Sequence, residues 1–289
     1  MYPASFEYFA PASLDEAVEI LSGHDGEAKV LAGGQSLIPA MKLRVTAPGA
    51  LVDINGIPGL DTLAEHEGGL RIGALVRHKT CERSSLLRGR FGVLGAAAPQ
   101  ISDPIVRNRG TVCGSLAHAD PQGDWGAALL ALDAQVVIRG ADGDRIVALD
   151  EFLLGPFATT LEPSDIVTEV RVPDPGERAG GTYLKLERKV GDFATAAVAV
   201  HVALDNGTIR SAGIAFTGVG PRNAKAADAE RSLVGAEPTE ENIRAAAKLA
   251  AAAAEPWDDH RGSGEYKRNV VRVFTERGLR TAIAAAGAA

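Results

Sequence analysis

The first periodic stretch of the chain follows Ser13. Leu14, Ala17, Val18 and Leu21 recur at the i, i+3, i+4, i+7 spacing of one helix face. Ser13 is placed to cap that helix, and Glu16, three residues on, completes a capping box. The short apolar run Ala28–Leu31 predicts a buried strand that feeds directly into Ala32-Gly33-Gly34-Gln35-Ser36. Ala50–Ile54 predicts another strand, and the turn-forming Asn55-Gly56-Ile57-Pro58-Gly59 after it marks a lobe boundary. Further on, Leu70–Val76 predicts a strand. Phe91–Ser102 and Trp125–Leu132 predict helices with a second glycine-containing loop between them, and Gln135–Arg139 and Asp165–Val172 predict strands. Pro173-Asp174-Pro175-Gly176-Glu177 reads as a linker.

The pattern then changes. Tyr183–Val190, Ala194–Leu204 and Thr208–Thr217 predict three strands, the last two joined by the hairpin signal Asp205-Asn206-Gly207. Helices follow near Ala224–Val234, Glu240–Ala254 and Tyr266–Ala285. The expected architecture is α+β. A first domain covers residues 1–175, with lobes of about 1–56 and 57–175. A second covers 176–289 and combines a three-stranded antiparallel sheet with three helices.

Composition narrows what such a chain can do. It has 289 residues, of which 46% are apolar and 23% charged, with a formal net charge of -7. No basic stripe stands out, so neither nucleic acid nor an anionic membrane is an expected partner. The N-terminus lacks the charged and apolar regions of a signal peptide. No apolar run is long enough to span a bilayer, and the alanine-rich Ala245–Ala254 is interrupted by Lys248. A cytoplasmic location is expected, with contact to the inner face of the membrane left open. There are two cysteines, Cys81 and Cys113. An iron–sulfur cluster or structural zinc usually needs about four ligands, so any such centre must sit on another polypeptide.

Two segments carry candidate chemistry. In Ala32-Gly33-Gly34-Gln35-Ser36, consecutive glycines after a strand let backbone N–H groups converge on an anion, with Gln35 and Ser36 as further donors. A plain tight turn explains the same residues. The second segment, Arg109-Gly110-Thr111-Val112-Cys113-Gly114-Ser115-Leu116-Ala117-His118-Ala119-Asp120-Pro121, again sets small residues among hydroxyls. Two such loops suit a diphosphate gripped from both sides, as in FAD. The G-x-G-x-x-G fingerprint is absent, which weakens a Rossmann-type nicotinamide reading.

These segments resemble the paired signatures A-G-G-Q-S and T-x-G-G-S of the FAD-binding medium subunits of molybdenum hydroxylases of the carbon monoxide/xanthine dehydrogenase type. The stretch Asp103-Pro104 to Asp120-Pro121 and the C-terminal Asp258-Asp259-His260-Arg261-Gly262-Ser263-Gly264-Glu265-Tyr266-Lys267-Arg268 resemble that family too, and the segments keep its order. The resemblance implies a flavin fold of the vanillyl-alcohol-oxidase or PCMH type. It implies that Ala32, Gly33, Gly34, Gln35 and Ser36, with Thr111, Val112, Cys113, Gly114 and Ser115, bind the FAD pyrophosphate. It also implies cofactor contacts from Asp124, Ile101, Val167 and Lys185, and from Phe193, where relatives often carry tyrosine. FAD is expected non-covalently, as an electron relay. Two [2Fe–2S] clusters and a molybdopterin cofactor are expected on a small and a large partner subunit, in a dimer of heterotrimers.

Cys113 departs from the pattern, replacing its first glycine. A packed cysteine and a reactive thiol are both open readings. His118 near Asp120 reads as structural rather than as a proton carrier. No catalytic acid, base, nucleophile or metal ligand is assigned on this chain. The rival readings are a self-contained FAD oxidoreductase of the same fold and a non-redox nucleotide-binding or scaffold subunit. The substrate (carbon monoxide, purine, aldehyde or N-heterocycle) and the acceptor (quinone, NAD or oxygen) are not written in this chain.

Overall fold

The computed structural model describes residues 2–288. Its first lobe is built from β1 (Glu7–Phe9), α1 (Leu14–Ser22), β2 (Ala28–Leu31), α2 (Leu37–Lys42) and β3 (Ala50–Asp53). The three strands form a parallel sheet in the order β1-β3-β2. Parallel neighbours need a crossover, and α1 and α2 supply it. Ser13 caps α1 by accepting from Glu16 N at 3.2 Å. Glu16 reaches back one residue further than a capping box requires, to Ala12 N at 2.8 Å. Ala17, Val18 and Leu21 are the buried face and pack with Ala50, Val52 and Ile54.

The second lobe opens with β4 (Leu63–His66) and β5 (Gly69–Gly73). It continues through α3 (His78–Arg83), α4 (Gly92–Ala97), α5 (Pro104–Arg109), α6 (Val112–His118) and α7 (Asp124–Leu130). It closes with β6 (Gln135–Gly140), β7 (Gly143–Ala148), α8 (Leu149–Phe152), β8 (Leu153–Gly155), β9 (Ala158–Thr159) and β10 (Ile166–Val172). Five strands form an antiparallel sheet in the order β4-β5-β10-β6-β7, and β8 pairs with β9. The helix expected over Phe91–Ser102 is shorter. Regular α-structure stops at Ala97, and Pro99 sits in the 3-10 turn Ala98–Gln100 that follows. Proline lacks an N–H and cannot continue the α-helical ladder.

Past the Pro173–Glu177 segment come β11 (Ala179–Leu186), β12 (Ala196–Asp205), β13 (Thr208–Thr217) and β14 (Ala224–Lys225), then α9 (Ala227–Leu233), α10 (Glu240–Ala253) and α11 (Gly264–Ala288). The predicted three-stranded sheet gains β14 as a two-residue fourth strand. The first strand also lies four residues earlier than its apolar pattern suggested, because Gly180 and Gly181 pair within it. Those glycines allow close approach. A Cβ on Gly180 would stand 2.7 Å from Ala282 O of α11, and one on Gly181 3.0 Å from Val93 Cβ of α4.

β12 explains how the domains join. Its residues are buried on both faces up to Leu204. Val198, Val200 and Val202 face the helices α9–α11, whereas Ala197 and Ala199 join the core of the second lobe beside Trp125 and Tyr183. Alternating side chains on a strand point to opposite faces, so large residues fill the helix side and small ones admit the neighbouring lobe.

Candidate functional site

β2 carries the chain into the turn Ala32–Ser36, where Gly34 adopts φ +71°. A left-handed backbone of that kind costs a side-chain-bearing residue free energy that glycine avoids. The turn runs into α2 with Ile38 N donating to Gly34 O at 3.0 Å. Among the described residues, the N–H groups of Gly33, Gly34, Gln35 and Ser36 donate to no backbone carbonyl. The Ser36 side chain makes no cap bond. The result is a row of uncommitted donors in consecutive residues.

The second segment, expected as a loop, is largely helical. α5 ends at Arg109, Gly110 turns the chain, and Thr111 caps α6 by accepting from Gly114 N at 3.1 Å. The small residues that suggested a loop fit equally well in the first turn of a helix, where the leading N–H groups have no partner in the helix. Cys113 N donates to no backbone carbonyl among the described residues, whereas Cys113 Sγ points inward, 3.6 Å from Ile72 O and 2% exposed. The departure from the family pattern is therefore accommodated. The extra side chain occupies the core, and burial pushes its thiol pKa well up. Such a thiol is a packed residue rather than a nucleophile.

The two segments are adjacent. A Cβ on Gly33 would stand 2.5 Å from Arg109 O and 2.8 Å from Gly110 Cα, so only glycine permits that approach. Two residues that the sequence did not single out hold them together. Asn55 Nδ2 donates to Ala32 O at 2.9 Å. Arg77 donates through one nitrogen to Asn55 Oδ1 and through another to Arg109 O. The bridge is completed where His78 N donates to Gly110 O at 3.0 Å and Val112 N to Val76 O at 3.2 Å. His78 is buried under this junction. Its Nδ1 accepts from Trp125 Nε1 at 2.9 Å, and burial lowers its pKa to about 4, helped by the charges of Arg107 and Arg77. A local signal for Asn55 and Arg77 was thin: Asn55 looked like turn punctuation, and Arg77 like one surface cation among many.

The remaining expected site residues fall in three places. Asp124, at the start of α7, and Lys185, near the end of β11, meet each other: Lys185 Nζ lies 3.0 Å from Asp124 Oδ2 and donates also to Gln100 O at 2.9 Å. Tyr183 Oη donates to Asp124 Oδ1 at 2.6 Å. Burial pushes the Asp124 carboxyl up, against the pull of Lys185 and Tyr183. Ile101 follows the 3-10 turn beside this network, and its carbonyl accepts from Arg107 Nη1 at 3.0 Å. The turn with Phe193 lies next to Ile101, since a Cβ on Gly191 would be 3.0 Å from Ser102 O; Phe193 itself is 50% exposed. Val167 stays in the core of the second lobe with Cys113 and Leu116. His118 is exposed and packs on the Phe157 ring with centroids 5.1 Å apart. Asp258 Oδ1 caps Gly264 N at 2.7 Å, and Asp259 pairs with Lys267 at 2.8 Å.

This arrangement fits a diphosphate. Anions bind where several backbone N–H groups converge without Cβ interference; the Gly33–Ser36 turn offers such a row, Cys113 N adds a further uncommitted donor, and Arg77 braces the two segments together.

Comparison with known proteins agrees with that chemistry. Residues 4–175 match the FAD binding domain in molybdopterin dehydrogenase, and residues 181–282 match the CO dehydrogenase flavoprotein C-terminal domain. The chain is 40% identical to the carbon monoxide dehydrogenase medium chain of Hydrogenophaga pseudoflava, over 98% of each. It is 36% identical to the 6-hydroxypseudooxynicotine dehydrogenase complex subunit alpha of Paenarthrobacter nicotinovorans, over 98% of this chain and 96% of that one. The solved carbon monoxide dehydrogenase from Hydrogenophaga pseudoflava superposes with a TM-score of 0.95 at 42% identity, over 99% of each chain. With both domains matched in order and the whole fold shared, this chain belongs to the family of FAD-binding medium subunits of molybdenum hydroxylases.

Proposed function

We propose that this subunit is an electron relay, holding FAD non-covalently between the Ala32–Ser36 turn and the Thr111–Ser115 helix start. The flavin would supply the redox chemistry, taking electrons from [2Fe–2S] clusters on a small partner subunit and passing them to an external acceptor. Substrate oxidation belongs, in this reading, to a large subunit with a molybdopterin cofactor, and the assembly is a dimer of heterotrimers in the cytoplasm. Among the described residues, no helix is long and apolar enough to cross a membrane.

The observation that carries the proposal is the row of uncommitted donors in Gly33–Ser36, packed at Gly33 against Arg109 and Gly110 at the start of the second segment. The titratable groups around it are committed to the fold: His78 to Trp125, Asp124 to Lys185 and Tyr183, and Cys113 to the core. None of these three is free to move a proton to a substrate. In this reading Ala32–Ser36 and Thr111–Ser115 bind the diphosphate, Ile101 and Phe193 lie toward the rest of the cofactor, and Asp124, Val167 and Lys185, buried in the fold, support the site from beneath. The relatives support a division of labour. Proteins named for carbon monoxide and for 6-hydroxypseudooxynicotine oxidation share this chain's sequence at 40% and 36% identity. Substrate choice then lies on another subunit.

The test is turnover by the isolated chain. Reloaded with FAD and assayed with the complex's substrate and an artificial acceptor, it should be inactive until the iron–sulfur and molybdenum chains are added. Turnover at the rate of the complex would establish a self-contained oxidoreductase instead.

A further inference from the structure

The turn that carries Phe193 is held from the far end of the chain. Residues Glu187–Ala194 link β11 to β12, with Thr195 N closing their base on Leu186 O at 2.7 Å. Inside this turn Gly191 takes φ +84° and sits against Ser102. Asp192 organises the next residue: its Oδ1 accepts from Phe193 N at 2.9 Å. The same oxygen lies 3.3 Å from Arg261 Nη2, and Oδ2 accepts from Arg188 Nε at 3.2 Å. The Phe193 N–H, with Arg188 and Arg261, holds the Asp192 carboxyl below its usual range, so it is ionised at neutral pH.

The two arginines are not equivalent. Arg188 is 54% exposed and lies within the turn it would have to hold. Arg261 is 11% exposed and comes from a braced segment. Arg261 N donates to Asp259 Oδ1 at 2.8 Å, and Asp259 and Gly262 exchange backbone hydrogen bonds at 3.1 Å. Asp259 is fixed by buried Lys267, which also donates to Trp257 O at 3.0 Å. Arg261 Nε is nevertheless buried with no hydrogen-bond partner. A buried N–H left unpaired costs free energy, and a guanidinium kept there for packing alone would gain little to offset it.

We propose that Arg261 is a positioning residue for the flavin, fixing through Asp192 the turn that presents Phe193 to the cofactor. This rests on the FAD-relay reading above. It gives the Asp258–Arg268 segment a role: a rigid C-terminal strut that sets the geometry of a turn more than sixty residues earlier. Phe193 has no hydroxyl to anchor its own ring, so its backbone must be held from outside.

The test compares Arg261→Ala, Arg261→Lys, Asp192→Asn and the Arg261→Ala/Asp192→Asn double variant of the full chain. Fluorescence titration gives the Kd for FAD, visible circular dichroism reports the ring's surroundings, and potentiometry gives the flavin reduction potential. Arg261→Ala should weaken FAD binding roughly tenfold, as for the loss of one charge-assisted contact. It should also change the flavin dichroism and potential in a chain that still folds, although the melting midpoint of the FAD-free chain falls with the lost ion pair. Arg261→Lys should recover part of each effect, and the double variant should be no worse than the worse single one. If Arg261→Ala does not fold, Arg261→Lys and Asp192→Asn carry the comparison. Wild-type Kd, dichroism and potential in the folded variants overturn the proposal alone. A wild-type chain that binds no FAD removes the relay reading and this proposal together.

Discussion

Lys185 Nζ lies 3.0 Å from Asp124 Oδ2, with 1% and 7% of the two side chains exposed. The pair joins α7 of the second lobe to β11 of the C-terminal domain. Removing one member of a buried pair strands the other, at a typical cost of about 3–5 kcal/mol, whereas removing both is often nearly neutral. Lys185→Met should therefore lower the unfolding free energy by that order, and Lys185→Met with Asp124→Leu should regain only part of it, because Tyr183 Oη and Gln100 O lose their partners. Urea denaturation of the FAD-free chain measures both. Burial raises the Asp124 pKa, so the folded state favours the protonated carboxyl as pH falls. The deficit of the single variant should shrink from pH 8 to pH 5, and a deficit independent of pH would argue for lost packing instead.

Gly33 and Gly34 fail for different reasons. A side chain at Gly33 collides with Arg109 O, and one at Gly34 strains a backbone at φ +71°. Gly33→Ala and Gly34→Val should both give folded chains that purify without flavin, because each lost charge-assisted hydrogen bond is worth about 1.5–3 kcal/mol. Normal FAD content with a normal far-ultraviolet spectrum would take these loops out of the site.

Arg77 bridges Asn55 and Arg109. Arg77→Ala should lower FAD affinity by roughly ten- to a hundredfold, because the two segments lose their brace. Arg77→Lys should restore little, since the shorter side chain offers one nitrogen where the guanidinium reaches Asn55 Oδ1 and Arg109 O from two separate ones. Equal Kd values across wild type, Arg77→Ala and Arg77→Lys would make the brace dispensable.

His78 is kept neutral. Its pKa is lowered from the ordinary 6.5 to about 4, first by burial and then by Arg107 and Arg77. The unfolded chain takes up the proton before the folded one does. The stabilisation is therefore present above pH 6.5 and is lost as pH falls toward 4, up to about 3 kcal/mol. Protonation at Nδ1 also breaks the bond from Trp125. His201, lowered to about 4 chiefly by burial, adds to the same window. Urea midpoints between pH 7 and pH 4.5 should fall in the wild type and fall less steeply in His78→Asn. Parallel profiles would assign the acid sensitivity elsewhere.

Cys113→Gly restores the pattern of the relatives but empties a buried position. FAD binding should be retained, because the Cys113 side chain is buried against Ile72 and its N–H stays uncommitted. Stability should drop by roughly 1–2 kcal/mol from the lost packing and the added glycine within α6. Free FAD should be released from wild type and variant alike by acid or heat. Flavin that stays with the denatured wild-type chain but not with Cys113→Gly would reveal a thioether that the buried Sγ gives no reason to expect.

What the sequence determined by itself was local. Periodicity marked α1, β12, β13 and α10 nearly to the residue, Asp205-Asn206-Gly207 marked the hairpin, and the small-residue segments marked the proposed site, because each signal spans only a few neighbours. It missed β1 and β7, which are largely exposed and lack a buried apolar stripe. It also took α6 for a loop, because glycine, serine and cysteine have no strong helical pattern of their own. Tertiary structure decided the rest. Arg77 finds Asn55 across 22 residues, Asp124 finds Lys185 across 61, and Arg261 finds Asp192 across 69. Nothing local distinguishes these from surface charges. They become partners only when packing removes water and leaves each polar group only a few fixed acceptors or donors within reach.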